Sequence, residues 1–365
     1  MFDALPPLSP TPPTSLAGYG WTAELDELFA PLAEAGLVPG RLARVDRGRA
    51  EVLVADPDGG EVRTVRADTR PVGSAETIEN PCTGDWVALD PAAAPLPEVR
   101  ALLPRRTAII RKSAAKASEG QVLAANIDTV LIAVSLAVEP DLGRVERFVA
   151  LAWESGAQPL VALTKADLVD DAEFIREDVE RVVPGVAVLV VSAGTGDGLD
   201  VLRACLGGTT ALIGQSGAGK STLTNALTGA QVMVVQQTRD ADQKGRHTTT
   251  TRELFALPGG GVLIDTPGLR GVGLYGGEGL AQAFAEIEEL GARCRFDDCS
   301  HSTEPGCAVR AALADGTLPQ RRMDSYLRLQ RENAWIASRT DARLAAQRAR
   351  LWKQRAKGAR DRVRP

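Results

Sequence analysis

The sequence predicts three folded units in chain order: a small antiparallel β-barrel, a mostly parallel α/β domain, and a mostly helical unit around a Cys/His cluster. Three observations carry this. Residues 40–106 alternate with period two between closely spaced turn signals. From residue 107 onward, apolar strand-like runs alternate with helical patterns. Four metal-type ligands then fall within the fourteen residues 294–307. A chain of 365 residues has room for two to three domains of roughly 150 residues each. The expected boundaries are 1–35 for a disordered leader and short helix, 36–106 for the barrel, 107–277 for the α/β domain, 278–342 for the metal-binding domain and 343–365 for a basic tail.

The first 20 residues hold one acid, no basic side chain and five prolines, which fits neither the charged start nor the apolar run of a signal peptide. A helical pattern follows from Thr22 to Ala35. No stretch of 18 uninterrupted apolar residues occurs, so no membrane association is expected, and five cysteines are too few for a disulfide framework. A cytoplasmic location is expected on that basis. The net charge of −5 argues against wholesale polyanion binding, but residues 341–365 carry nine Lys or Arg against Asp341 and Asp361. Either an acidic partner or a solvated helix face accounts for that tail.

In the barrel region, Arg44-Val45-Asp46-Arg47 and Ala50-Glu51-Val52-Leu53-Val54 alternate, and Pro57-Asp58-Gly59-Gly60, Asn80-Pro81 and Thr83-Gly84-Asp85 break the strands. An OB-type barrel is the leading candidate. The α/β unit has its strand runs at 129–134, 159–163, 186–191, 210–213 and 262–264.

Gly214-Gln215-Ser216-Gly217-Ala218-Gly219-Lys220-Ser221 follows one such strand and precedes a helical pattern opening at Thr222, the context that a phosphate-binding P-loop requires. Its backbone N–H groups would converge on phosphates, Lys220 would reach the β and γ groups, and Ser221 would offer Mg²⁺ an oxygen. Asp265-Thr266-Pro267-Gly268 ends the next strand, where Asp265 can hold the Mg²⁺ shell and the Gly268 amide can sense a γ-phosphate. Between them lies Lys244-Gly245-Arg246-His247-Thr248-Thr249-Thr250-Thr251, placed as a first switch. Thr249 is the threonine chosen to touch both Mg²⁺ and the γ-phosphate. Leu269 stands where many GTPases carry a water-orienting glutamine, which leaves His247, Gln243 or a partner's residue for that task.

Guanine rather than adenine is indicated by Thr164-Lys165-Ala166-Asp167. Asp167 would accept from the guanine N1–H and 2-amino groups, while the Lys165 stem lies along the base. Ser192-Ala193 after the following strand could present backbone N–H groups to the guanine carbonyl. These base-binding elements precede the phosphate loop, whereas most GTPases have the reverse order. The domain is therefore circularly permuted, and both switches are carried next to the C-terminal unit.

Cys294, Cys299, His301 and Cys307 make the pattern Cys-x₄-Cys-x-His-x₅-Cys, a closed four-ligand set for one structural Zn²⁺. Phe296, Tyr326 and Trp335 are the expected aromatic anchors of that unit, and Cys82 and Cys205 are read as ordinary core or surface residues.

The permuted order, the Gly245-Arg246-His247-Thr248-Thr249-Thr250 switch, Asp265-Thr266-Pro267-Gly268 and the zinc pattern together resemble the bacterial ribosome-small-subunit-dependent GTPase family, RsgA or YjeQ. The likeness covers about residues 36–340 and includes Gly84-Asp85-Trp86-Val87 and Ala124-Ala125-Asn126-Ile127-Asp128. It implies an OB-fold barrel, a permuted P-loop GTPase domain and a helical zinc domain, with GTP and Mg²⁺ used in late maturation of the 30S subunit. It also implies contact with 16S rRNA and turnover stimulated by the subunit; a monomer is expected. Thr164 departs from the family's common asparagine. Residues 41–106 hold ten basic and eleven acidic side chains with Trp86 their one aromatic, a poor composition for a base-stacking surface. The alternative reading is a zinc-containing RNA-binding module in which nucleotide is a passive ligand switch.

Overall fold

The structure, a computed structural model, describes residues 14–56, 61–112, 120–233, 252–266 and 277–340. Helix α1 (Ala23–Glu34) opens on Thr22, whose hydroxyl accepts from the Leu25 amide. Strands β1 (Val38–Asp46), β2 (Arg49–Ala55), β3 (Val62–Asp68), β4 (Trp86–Asp90) and β5 (Glu98–Leu102) pair in the order β1-β2-β3-β5-β4. Pairing of β4 with β1 closes the barrel. Alternation supplies its interior: Leu42, Val52, Ala67, Val87, Leu89 and Val99 form one apolar cluster.

A second cluster caps the barrel. Leu16, Trp21 and Phe29 pack on Trp86, Ala88 and Leu103, with Trp21 edge-on to both Phe29 and Trp86. Within the segment expected as leader, the chain from Leu16 onward is thus part of the barrel core. Trp86 is 2% exposed and offers no face for stacking bases.

Strands β6 (Ala108–Lys112) and β7 (Gly120–Ala125) form a separate antiparallel pair against the barrel, where Thr77 Oγ1 donates to Gly120 O. The α/β domain follows as β8 (Thr129–Ser135), α2 (Leu142–Glu154), β9 (Gln158–Thr164), α3 (Ala172–Val182), β10 (Ala187–Val190), α4 (Leu199–Cys205), β11 (Thr209–Gly214), α5 (Lys220–Thr228), β12 (Glu253–Ala256) and β13 (Val262–Asp265). Its sheet order is β10-β9-β8-β11-β13-β12, parallel except for β12. The near-continuous apolar runs predicted for β8, β9, β11 and β13 are buried on both faces, as helix-covered parallel strands require, while the edge strand β10 is partly exposed. Arg44 opposite Glu253 joins β1 to β12 and makes barrel and nucleotide domain one 11-stranded sheet among the described residues.

The C-terminal unit comprises α6 (Glu278–Ala283), α7 (Ala285–Gly291), α8 (Ala308–Asp315) and α9 (Gln320–Thr340). Its apolar side chains Leu280, Phe284, Ile287, Tyr326 and Leu329 share one cluster with Val145, Phe148 and Val149 of α2. Of the three expected anchors, Tyr326 is buried, while Phe296 and Trp335 are exposed.

Candidate nucleotide site and metal centre

Strand β11 ends at Gly214 and α5 begins at Lys220, so the phosphate loop bridges a central strand and a helix N-terminus, where amide dipoles favour an anion. Gly217 and Gly219 take φ of 83° and 78°, which side chains with a Cβ rarely adopt, and this lets the loop turn its amides inward. Lys220 Nζ donates to Gly214 O and Gln215 O, both at 3.0 Å, which curls the side chain back over the loop. Burial lowers its pKa, opposed by the charge of Asp265.

Asp265 ends β13 beside β11 at 4% exposure. Burial pushes its carboxyl up to about 6; the Lys220 charge works against that rise and Glu253 adds to it. Its Oδ1 atom is buried with no hydrogen-bond partner among the described residues. A buried carboxylate oxygen of this kind, close enough to Lys220 for their charges to act on each other, fits a divalent cation.

The base-recognition residues gather on the same edge. Lys165 sits at φ 60° immediately after β9. A Cβ built on Gly219 would lie 3.7 Å from its Cε and 3.6 Å from Thr164 Oγ1, so the Lys165 stem runs along the phosphate loop. Thr164 Oγ1 donates to Ala218 O at 2.8 Å, tying the base loop to the phosphate loop directly. The Ser192 hydroxyl donates to Asp167 Oδ1 at 2.5 Å and accepts from the Gly194 and Thr195 amides, both at 3.2 Å. Ser192 is fully buried and Asp167 exposed, so a packed hydroxyl orients a carboxylate at the surface. Ala193 lies between them and the solvent-facing turn.

The structure therefore brings together Thr164, Lys165, Asp167, Ser192 and Ala193 with the loop from Gly214 to Ser221, Thr222 and Asp265. His247, Thr249 and Gly268 lie outside the described residues, as does the basic tail. One contact had no sequence signal: Arg144, in the first turn of α2, hydrogen-bonds through its guanidinium to Gln215 Oε1 of the phosphate loop.

At the second centre, Cys294, Cys299, His301 and Cys307 place their ligand atoms within 4.8 Å of one another. Cys294 Sγ lies 3.8 Å from Cys307 Sγ, and His301 Nδ1 lies 3.6 Å and 3.4 Å from those two sulfurs. Tetrahedral zinc with ordinary bond lengths demands sulfur–sulfur edges of about 3.8 Å and sulfur–nitrogen edges of about 3.5 Å. The three edges among Cys294, Cys307 and His301 fit zinc, with Cys299 within 4.8 Å of each. Cys307 also caps α8, its sulfur accepting from the Arg310 amide, so a thiolate would sit at a helix N-terminus.

The RsgA GTPase family model matches residues 102–275. A small ribosomal subunit biogenesis GTPase RsgA of Streptomyces avermitilis is 60% identical over 345 residues, covering 93% of this chain and 91% of that protein. One of the same name from Opitutus terrae is 42% identical over 363 residues, covering 96% and 98%. The solved structure of YloQ, a circularly permuted GTPase, superposes with a TM-score of 0.58 at 26% identity over 81% of this chain and 95% of that one. YjeQ from Thermotoga maritima gives 0.59 at 23% identity over 81% and 98%, a likeness of fold.

Proposed function

Because this chain belongs to the RsgA GTPase family, we propose that it hydrolyses GTP to GDP and phosphate while bound to the 30S ribosomal subunit, as a factor in that subunit's late maturation. The observation that carries the reading is the convergence of three groups at one sheet edge: the phosphate loop, the buried Asp265 carboxylate and the Ser192-oriented Asp167. Contact with 16S rRNA, a monomeric state and cytoplasmic residence complete the proposal.

Each residue has a distinct task. Amides of residues 214–221 and the Lys220 ammonium bind the β and γ phosphates and neutralise charge that develops on them. Ser221 and Asp265 would hold Mg²⁺, with Thr249 completing its shell; the ion supplies electrostatic stabilisation of the phosphoryl oxygens. Asp167 pairs with the guanine N1–H and 2-amino donors, and adenine would leave that carboxylate unpaired, a mismatch worth roughly 10⁴–10⁵ in selectivity. Lys165 packs along the base, and Thr164 fixes the base loop to the phosphate loop. His247 orients the attacking water. Cys294, Cys299, His301 and Cys307 hold one structural Zn²⁺.

The test is phosphate release from GTP and from ATP by the purified chain, with and without 30S subunits. Release from GTP alone, accelerated at least about tenfold by 30S and abolished by Lys220→Ala, is expected. Binding of GTP with turnover indifferent to 30S would instead favour a passive nucleotide switch.

A further inference from the structure

The row of residues that holds Asp265 continues out of the nucleotide domain. In the antiparallel pair β12–β13, Glu253 stands directly opposite Asp265; in β12–β1 it stands directly opposite Arg44. Arg44 in turn opposes Glu51 on β2, and Glu51 opposes Arg66 on β3. Directly opposed residues of antiparallel strands project to the same face with Cβ atoms about 5 Å apart. Read from the nucleotide site outward, the row is therefore acid, acid, base, acid, base.

Beyond Asp265 the alternation of sign is what a stable sheet surface uses. The adjacent acids Asp265 and Glu253 break it, because like charges directly opposite one another destabilise a sheet. Arg44 gives Glu253 a favourable partner on one side, but the place directly opposite Asp265 costs stability on the other. A cation site accounts for that cost, since among the described residues Asp265 Oδ1 is a buried acceptor with no partner, and a second carboxylate one strand away deepens the negative potential around it. Glu253 is half-buried, so solvent screens it incompletely, and the nearest opposing charge in the row is Arg44, which belongs to the barrel.

We propose that Glu253 is a positioning residue of the Mg²⁺ site: its charge strengthens cation binding at Asp265, and Arg44 of the barrel sets how much of that charge the site feels. The inference rests on the reading of Asp265 as a Mg²⁺ ligand. It makes the barrel part of the nucleotide site without touching the nucleotide. It also fixes opposite signs for two ligands, because an acid at position 253 attracts the dication and repels bare phosphates.

The experiment uses the full chain and a fluorescent non-hydrolysable GTP analogue, with Kd measured at saturating Mg²⁺ and again in EDTA. The readout is the ratio of Kd in EDTA to Kd in Mg²⁺. Glu253→Gln should lower this ratio roughly fivefold, with tighter binding in EDTA and weaker binding in Mg²⁺. Arg44→Gln should raise it, and as a substitution of a half-buried barrel residue, which also pairs with the exposed Asp46, it keeps the question open to measurement if the first variant folds poorly. A purely structural role for either residue would weaken both affinities in step and leave the ratio unmoved, which overturns the proposal. Asp265→Asn separates the two readings. A ratio collapsed by Asp265→Asn but indifferent to Glu253→Gln and Arg44→Gln defeats this inference alone; a ratio indifferent to Asp265→Asn defeats the Mg²⁺ assignment and this inference with it.

Discussion

The nucleotide domain meets its two neighbours through junctions that bury charge in opposite ways. At the C-terminal junction, Glu146 of α2 is 1% exposed and is met by Arg321 at 2.6 Å, Arg322 at 2.8 Å and the Ser325 hydroxyl at 2.5 Å, all on α9. At the N-terminal junction, Arg41 of β1 is fully buried among neutral oxygens. It donates to Gly84 O, Asn126 O, Tyr19 O and, at 2.8 Å, Thr209 Oγ1, and it lies 4.8 Å from the centre of the Trp86 ring. Burial pushes its pKa down to about 9 while Asp128 and Asp85 hold it up, so it stays charged at neutral pH. The first junction joins two apolar faces and uses ions to fix their register; the second, where Ala43 and Leu53 also pack on the nucleotide domain, uses one cation to gather four separate chain segments. Sliding the first would strand charges, whereas sliding the second would cost hydrogen bonds.

Zinc removal should produce the largest change and should divide the C-terminal unit. Structural zinc contributes on the order of 10 kcal/mol of apparent binding free energy in isolated fingers. Chelation, or Cys299→Ser, should expose the amides of residues 294–307 to hydrogen exchange while α9 stays protected. The reason is that α9 is held by Glu146, by the Arg147–Glu332 pair and by the shared apolar cluster rather than by the metal loop. Simultaneous loss of protection in α9 would show that the metal, and not α2, holds this junction.

Glu146→Ala should come next. It leaves Arg322, whose side chain is 4% exposed, with the partly exposed Glu286 as its remaining carboxylate, and breaking a buried pair in this way costs about 3–5 kcal/mol. Denaturant unfolding measures it, and a loss below about 1 kcal/mol would mean that the apolar cluster alone specifies the docking. Arg41→Met should cost less, about 2–3 kcal/mol, because it loses the guanidinium over Trp86 but strands only neutral acceptors. If Arg41→Met proved the costlier of the two, the contrast between the junctions would be reversed.

What was legible in the sequence follows the same division. The phosphate loop, Asp265, the two base-binding elements and the zinc pattern were readable because each needs particular residue types at fixed local spacing, and their permuted order needed only counting. The junctions have no such spacing. Glu146 and Arg322 are 176 residues apart, and Arg41 meets Thr209 across 168, so neither pairing leaves a local mark. Arg41 was counted among ten basic residues of the barrel region, yet it faces no solvent; Trp86, the lone aromatic there, went into the cap formed by Trp21 and Phe29. Arg144 on Gln215 was invisible for the same reason, since 71 residues separate them.

Thr164 gives the smallest expected effect, and it tests whether legibility extends to mechanism. The sequence marked it as a departure from asparagine, which put its contact with the base in doubt. The structure turns its hydroxyl to Ala218 O at 2.8 Å, with Val134 O a second acceptor at 3.3 Å, and a hydroxyl has one proton to give. On the function proposed above, this bond braces the phosphate loop against the base loop, a role separable from reading guanine. Thr164→Val removes one neutral hydrogen bond at nearly constant volume, a loss of about 1 kcal/mol or roughly fivefold in affinity. That loss should fall equally on GTP and GDP and leave the preference for guanine over adenine nucleotides intact. A fall in guanine preference upon Thr164→Val would return the residue to direct base recognition and leave the bond to Ala218 without a separate role.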